Sequence, residues 1–445
     1  MGDLDDLLDE LNDIPAAPVV PERTAAPGDF KPWEQSGSVE PPQSQPAKES
    51  KEPRERAQRV EAPTFDVSQF VPQSGSTYTH SALLSDDAPR QFHRPADASG
   101  KTVRLPDPGP ALSPAEAADL MGLVVGPQGL GSSWQQGFCW EDGACSAGLL
   151  QLQGGPCGVI AAVNAFVVKA LLDKGVEVSK KVKDAVRKDA LVEALCTILW
   201  TAGGGRTATL IVPTTGAGPA VLSNGERLRP VVFGSMEELA EGIGGQYNEL
   251  LTRRDGFGIA LFMYSVLMSR GLKNIRELDA DDAGCTMIGA HGYCTQELVN
   301  LFVVGRAFTN VFDGSKRLGE LKGDAVVLQG IHKRSPVGFL SYHEHFKDIE
   351  VGSRLKGPQS AVWIMCCESH YSLLFQSDAM GDPKDSTFAT DLVYFDPLGR
   401  GTEMFRIRVR PGELPESDTT SVIERTLRTK WIGAAVEWIG CERLL

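Results

Sequence analysis

Three residues far apart in this chain sit in settings that suit thiol chemistry: a cysteine, a histidine and an aspartate. Cys157 ends the stretch Gln151-Leu152-Gln153-Gly154-Gly155-Pro156 and opens an almost unbroken apolar run, Val159 to Val163, continuing through Phe166, Val167 and Val168. That run is too long for a typical strand and rich in alanine, which predicts a buried helix. Proline is tolerated only in a helix's first turn, so Pro156 marks the start. Cys157 then lies at the helix N-terminus. The positive end of the macrodipole there stabilises a thiolate, the form in which cysteine is a nucleophile. The competing reading is that Cys157 is one more small buried hydrophobe, as most free cysteines are.

A thiolate nucleophile needs a base, and the sequence holds seven histidines. His80 and His93 fall in a proline-rich segment, and His291, His332, His343 and His345 in polar or glycine-rich loops. Only His370 stands at the junction of two strongly apolar stretches, Ala361 to Cys366 and Tyr371 to Phe375, where a strand end can hold an imidazole rigidly. The competing reading is a satisfied core histidine. The next apolar strand, Asp391 to Phe395, runs into Asp396-Pro397-Leu398-Gly399. If the two strands are neighbours joined by the loop 377–388, Asp396 can orient the imidazole and stabilise its charged form. Asp396 could instead merely open the turn, as aspartate often does. Gln151 supplies a fourth element: an amide shortly before the cysteine can donate to a developing oxyanion beside the Cys157 N–H. Gln153 competes for that role but lies nearer the tight Gly154-Gly155 bend.

These groups need a frame, and the pattern predicts an α+β domain over 111–445. Ser113-Pro114-Ala115-Glu116 reads as an N-cap with proline at the first helical position. Residues 123–150 are glycine-rich, carry Trp134 and Trp140, and read as a loop over the cysteine helix. Ala185 to Trp200 is a second helix. Thr207 to Val212 and Val231 to Phe233 form a hairpin or small sheet. Ser235-Met236-Glu237-Glu238 is a capping-box signature for the next helix. Gly256 to Arg270 is apolar on nearly all faces, and Thr295 to Val304 forms a further helix. From residue 325 onward strands dominate: Ala325 to Leu328, Ala361 to Cys366, Tyr371 to Phe375, Leu392 to Phe395 and Met404 to Val409. The expected order is helices first and an antiparallel sheet afterwards.

Residues 1–110 hold 16 of the 28 prolines and cannot bury enough apolar surface to offset ordering entropy, so disorder is expected. One island, 4–14, places Leu4, Leu7, Leu8 and Leu11 on one stripe of a short acidic helix, the pattern of a helix-in-groove ligand. The net charge of −14 argues against nucleic acid or an anionic membrane as main partner. Nine cysteines exclude a complete disulfide framework by their odd number. Without paired spacing, a signal peptide or a membrane-length apolar run, the expectation is a reducing compartment, cytoplasmic or nuclear. Cys285, His291 and Cys294 fit no standard zinc spacing and lack an evident fourth ligand, so no metal or other cofactor is expected.

The chain order Cys, His, Asp, with a helix carrying the first and a sheet the other two, is the arrangement of papain-like cysteine peptidases. The segment Gln151 through Cys157 to Val163 closely resembles the active-site motif of the MINDY deubiquitinases, in the branch with Gly-Gly-Pro-Cys-Gly. Three further stretches resemble the same branch, in family order: Gly305 to Phe312, Gly330 to Leu340, and Glu350 to Phe375. The resemblance covers roughly residues 115–445. It implies Cys157 as nucleophile, His370 as base and Gln151 as oxyanion donor. It also implies cleavage of isopeptide bonds in ubiquitin chains, with Lys48 linkage the family preference. Ubiquitin's tail ends in Gly-Gly and carries arginines, which suits an acidic domain and a glycine-lined approach. Two other classes remain open: a thiol acyltransferase or transglutaminase-like enzyme using the same groups, and a ubiquitin-binding protein that keeps the fold without catalysis.

Overall fold

A computed structural model describes residues 103–441, apart from 127–128, 141–146, 216–217, 320–325, 377–388, 399–403 and 413–420. The expected acidic helix at 4–14, most of the expected tail and the loop 377–388 lie outside the described residues. The described residues begin at 103, ahead of the expected boundary at 110, and this strip is paired. The Gly109 N–H donates to the Pro230 carbonyl and the Leu112 N–H to the Leu228 carbonyl, both at 2.8 Å. Arg229 donates to the carbonyls of Gly109 and Pro108 at 2.7 and 3.1 Å. An extended proline-rich segment has no apolar period, so its sequence does not tell a docked strip from a free one.

The helical half follows its start signals. Helix α1, Pro114–Val124, opens with a complete capping box between Ser113 and Glu116. Helix α2, Cys157–Asp173, starts right after Pro156 and is buried along nearly its whole length. Helix α3, Asp184–Ala202, packs beside it. Strands β1, Ala208–Pro213, and β2, Leu228–Phe233, form the expected antiparallel pair. Helix α4, Met236–Gly244, is capped by Ser235, but the Glu238 carboxylate reaches back to the Gly234 N–H rather than to Ser235. Helix α5, Gly258–Arg270, is buried over its first ten residues, Gly258 to Leu267. Helix α6, Gln296–Val304, is capped by Thr295 and closed by Gly305 in the left-handed conformation, φ 69°.

Strands β3, Ser315–Leu318, and β4, Val326–Gln329, pair only with each other. Six further strands follow: β5, Gly338–Ser341; β6, Val362–Cys367; β7, His370–Gln376; β8, Thr390–Phe395; β9, Met404–Pro411; and β10, Ala434–Ile439. Among the described residues they form one sheet in the order β10-β9-β8-β7-β6-β5. The expectation of a purely antiparallel sheet is corrected at one edge, where β5 runs parallel to β6. A four-residue strand beginning at glycine carries too little pattern to reveal its direction.

Both faces of this sheet are covered, which explains why its central strands read as continuous apolar runs. Alternate residues enter two cores. Val362, Ile364, Cys366, Tyr371, Leu373 and Phe375 face the helical core. Trp363, Met365, Leu374, Leu392 and Tyr394 face a second core closed by helix α7, Val422–Arg428, and Trp431. Cys366 and Cys367 obey the same rule, one packing on each side, as alternation predicts.

Helix α2 packs on α6 so closely that Gly158 has no room for a side chain. A Cβ there would lie 2.7 Å from the Cys294 Cβ and 3.0 Å from the Val299 Cγ2. Alanine is the better helix former by about 1 kcal/mol, but overpacking a core costs about 1–3 kcal/mol. Gly158→Ala should therefore lower stability, against its helix propensity. Urea denaturation checks this; an unchanged or raised midpoint would contradict the packing argument.

Candidate active site

Helix α2 begins at Cys157, so the N–H groups of its first turn have no carbonyl one turn back. The first regular donor is Ile160, bonded to the Pro156 carbonyl at 3.0 Å. The Cys294 sulfur lies against this turn, 3.6 Å from the Gly155 carbonyl oxygen and 3.1 Å from where a Gly158 Cβ would sit. The Cys157 N–H has no partner among the described residues. Burial first, then proximity to Cys157, pushes the Cys294 thiol up, so it stays protonated beside the helix start. Cys157 itself is only 2% exposed. Its sulfur lies 3.9 Å from the Gly155 carbonyl oxygen and 4.0 Å from that of Ser369. Gly155 has φ 125°, a conformation open to glycine, and Trp134 and Ser133 crowd the space a Cβ would take. At Gly155 the approach is thus bare backbone set against Ser133 and Trp134, whereas Gly154 is exposed and faces open space.

The Ser369 carbonyl belongs to the turn that delivers His370. Strands β6 and β7 form a tight hairpin in which Cys367 pairs with His370, leaving Glu368 and Ser369 at the tip. Glu368 adopts φ 58°, uncommon for a non-glycine residue. Its carbonyl accepts from the Cys366 thiol at 3.4 Å and lies 3.2 Å from the His343 Nε2. Strain of this kind persists where surrounding contacts hold it, often beside functional groups.

His370 Nε2 lies 2.8 Å from Asp396 Oδ1. The same oxygen accepts the Leu398 N–H at 2.9 Å, so Asp396 both opens its turn and engages the imidazole. Strands β7 and β8 are antiparallel neighbours, as the spacing of the two residues requires. Nε2 is thus engaged by Asp396, and the neighbouring Cys157 thiol also favours the charged ring. Burial is the largest influence on the ring and disfavours its charge. The Asp396 bond, the Cys157 bond and the charges of both groups outweigh it and raise His370 to about 10. Tyr371 is buried, and its hydroxyl is pushed up by burial and by the nearby sulfurs of Cys366, Cys294 and Cys157.

Gln151 is 5% exposed, whereas the side chain of its competitor Gln153 faces solvent. The Gln151 Nε2 donates one hydrogen bond, to the Gln153 carbonyl at 2.7 Å, and Oε1 is buried without a partner. A second amide proton remains. The Gln151 backbone N–H donates to the Pro397 carbonyl at 2.9 Å, tying this segment to the Asp396 turn. Gly148 packs against the Phe395 ring so closely that a Cβ would lie 2.4 Å from Cζ. Cys157, His370 and Asp396 thus meet where the helix start, the hairpin tip and the β8 turn converge, with the Gln151 backbone alongside. The Gln151 side chain is the exception, since its bond goes to Gln153 rather than to Cys157 or His370.

Sequence reasoning placed Trp134 in a loop over the cysteine helix but did not single out Cys294, Gln136 or Asn164 as part of this region. Only Trp134 carried a signal, its place in a glycine-rich loop. On the His370 side a cleft of about 470 Å³ opens between Tyr293, Phe312, His343, Glu368, Ser369 and Tyr371. Among the described residues no group of three His, Cys, Asp or Glu side chains could hold a metal ion. No described helix is long and apolar enough to cross a membrane.

Comparison with known proteins agrees with the family that the sequence resembles. Residues 127–440 match the family model described as deubiquitinating enzyme MINDY-3/4, conserved domain. The probable ubiquitin carboxyl-terminal hydrolase MINDY-4 of Mus musculus is 36% identical over 330 residues, 70% of this chain and 44% of that protein. MINDY-4 of Homo sapiens is 35% identical over 322 residues, 67% of this chain and 41% of that protein. The ubiquitin carboxyl-terminal hydrolase MINDY-3 of Homo sapiens is 32% identical over 299 residues, 58% of this chain and 65% of that protein. The chain thus spans less than half the length of the MINDY-4 relatives it matches. No solved structure matches it significantly. With well over half of its residues inside the family model, the chain belongs to the MINDY-3/4 family.

Proposed function

We propose that this chain is a deubiquitinating cysteine protease that hydrolyses isopeptide bonds in polyubiquitin, with Lys48-linked chains as its preferred substrate. The observation that carries the reading is the meeting of three groups at one helix start: Cys157, with its sulfur 4.0 Å from the Ser369 carbonyl, the adjoining His370, and Asp396 at 2.8 Å from the His370 Nε2. In this reading the Cys157 thiolate attacks the carbonyl carbon of ubiquitin's terminal glycine. The oxygen that becomes negative accepts hydrogen bonds from the Cys157 N–H and from Gln151. His370 gives its proton to the departing lysine amine, leaving a thioester. Water attacks the thioester, His370 takes its proton, and the thiol is released with the ubiquitin carboxylate. The cleft beside His370 carries Asp348 and Glu368, with Glu350 paired to Lys316, and its two remaining carboxylates suit a substrate tail bearing arginines.

The raised His370 supports its role as acid, since the ring keeps its proton through the neutral range. Its folded value of about 10 lies above the unfolded 6.5. The charged ring's contribution to stability is therefore complete below about pH 6.5 and is lost as pH rises through about 10.

Cys157→Ala should abolish cleavage of a Lys48-linked chain while ubiquitin binding persists. A ubiquitin bearing a C-terminal electrophile should modify Cys157 alone, and an adduct mapped to another cysteine would sink the assignment. Gln151→Ala should lower kcat by about 10²–10³-fold, the scale for one oxyanion donor; a change confined to KM would remove Gln151 from that role. Asp396→Asn should cost less than about 10²-fold, the lower end for an acid–base group, and should move the alkaline limb of kcat/KM to lower pH. Full activity with an unmoved limb would reduce Asp396 to a turn former.

A further inference from the structure

We propose that Gln136 and Asn164 are positioning residues that hold the backbone carrying Gln151 in register with the helix start. This rests on the reading of Gln151 as oxyanion donor. Both amides are buried, Gln136 at 1% and Asn164 at 0% exposure. Asn164 stands two turns along the helix that begins at Cys157. Its Oδ1 accepts the Leu149 N–H at 2.7 Å and its Nδ2 donates to the Leu149 carbonyl at 3.2 Å. Gln136 makes the same two-point contact one step further on. Its Nε2 donates to the Leu150 carbonyl at 3.2 Å and its Oε1 accepts the Leu152 N–H at 2.9 Å. Those two groups straddle Gln151. Gln136 is itself fixed, since its carbonyl accepts the Ile259 N–H at 3.0 Å and its N–H donates to Trp134 at 3.0 Å.

The segment 149–152 has little ladder of its own. Apart from the two side-chain clamps, among the described residues its backbone is held by one isolated bridge, Trp140 to Leu149, which uses the Leu150 N–H on Cys139, and by the Gln151 N–H on Pro397. A buried amide is tolerated only when its groups are paired, and an apolar residue of similar size would pack at lower cost. Two amides spent on one short segment therefore specify where that segment lies. One of them rides on the nucleophile's own helix, so Gln151 is referenced directly to Cys157. A donor must sit within about 0.5 Å of its productive place, and a misplacement of about 1 Å can cost 10²-fold.

The test is a double-mutant cycle on the full chain, measuring kcat and KM against Lys48-linked tetraubiquitin with thermal melting in parallel. Gln136→Met keeps the side chain's bulk and removes both bonds. It should lower kcat about 10-fold with KM nearly unchanged, and should cost less than about 2-fold when added to Gln151→Ala, because residues acting as a unit are non-additive. Asn164→Leu should behave the same way. Equal losses with and without Gln151 would overturn the proposal, as would unchanged kcat in both single variants. Failure of both variants to fold would assign the two amides to stability alone and also overturn it. If Gln151→Ala alone keeps full kcat, it is the oxyanion reading that fails, and the positioning role falls with it.

Discussion

The site depends on a helix that cannot move. From Cys157 to Leu171 helix α2 is buried on almost every side, with even Asn164 fully inside. Each large apolar side chain so buried contributes about 1.5–3 kcal/mol relative to exposure. A helix apolar all round can neither rotate nor slide without opening cavities against tightly packed neighbours. Its first turn is therefore held at fixed distance from the β7 strand it packs on. The sulfur, the free N–H beside it and the Asn164 clamp all inherit that fixity.

The sheet provides the second rigid body. Because both of its faces are covered, the β6–β7 hairpin and the β8 turn project from a frame that is anchored above and below. The groups at their tips can then be polar and strained, as Glu368 is, without loosening the fold. Asp396 serves two ends at once through a single oxygen, fixing its turn and the imidazole together. The price of keeping a charge on a mostly buried ring is met by neighbours rather than by water.

Much of this was legible in the sequence, for reasons that can be named. The cysteine helix was readable because burial on all sides writes an uninterrupted apolar run, and proline fixes where it starts. Strands β6, β7 and β8 were readable for the same reason, and their order placed His370 and Asp396 on neighbours. The edges were not. Strand β5 is four residues long, and its parallel pairing is set by contacts no local pattern records. Strand β10 alternates weakly at the sheet's margin, where Glu437 pairs with Arg410 instead of entering a core. The clamps were invisible in principle: Gln136 and Asn164 look like any amides until the fold shows which backbone they read. Cys294 was hidden likewise, since its sulfur reaches the α2 start only through the packing of α6.

The distance along the chain between the groups has a consequence for how the protein comes into being. Cys157 and the Ser369 carbonyl beside it are separated by 212 residues, and Asp396 comes later still. During synthesis the helix and its thiol leave the ribosome long before the strands that complete the relay. Loop closure over such a span is entropically costly until the sheet has formed to reward it. A partly made chain therefore carries an exposed cysteine but no assembled relay. Cys157, His370 and Asp396 therefore come together only with the docking of β8 against β7, however early the helix itself is made.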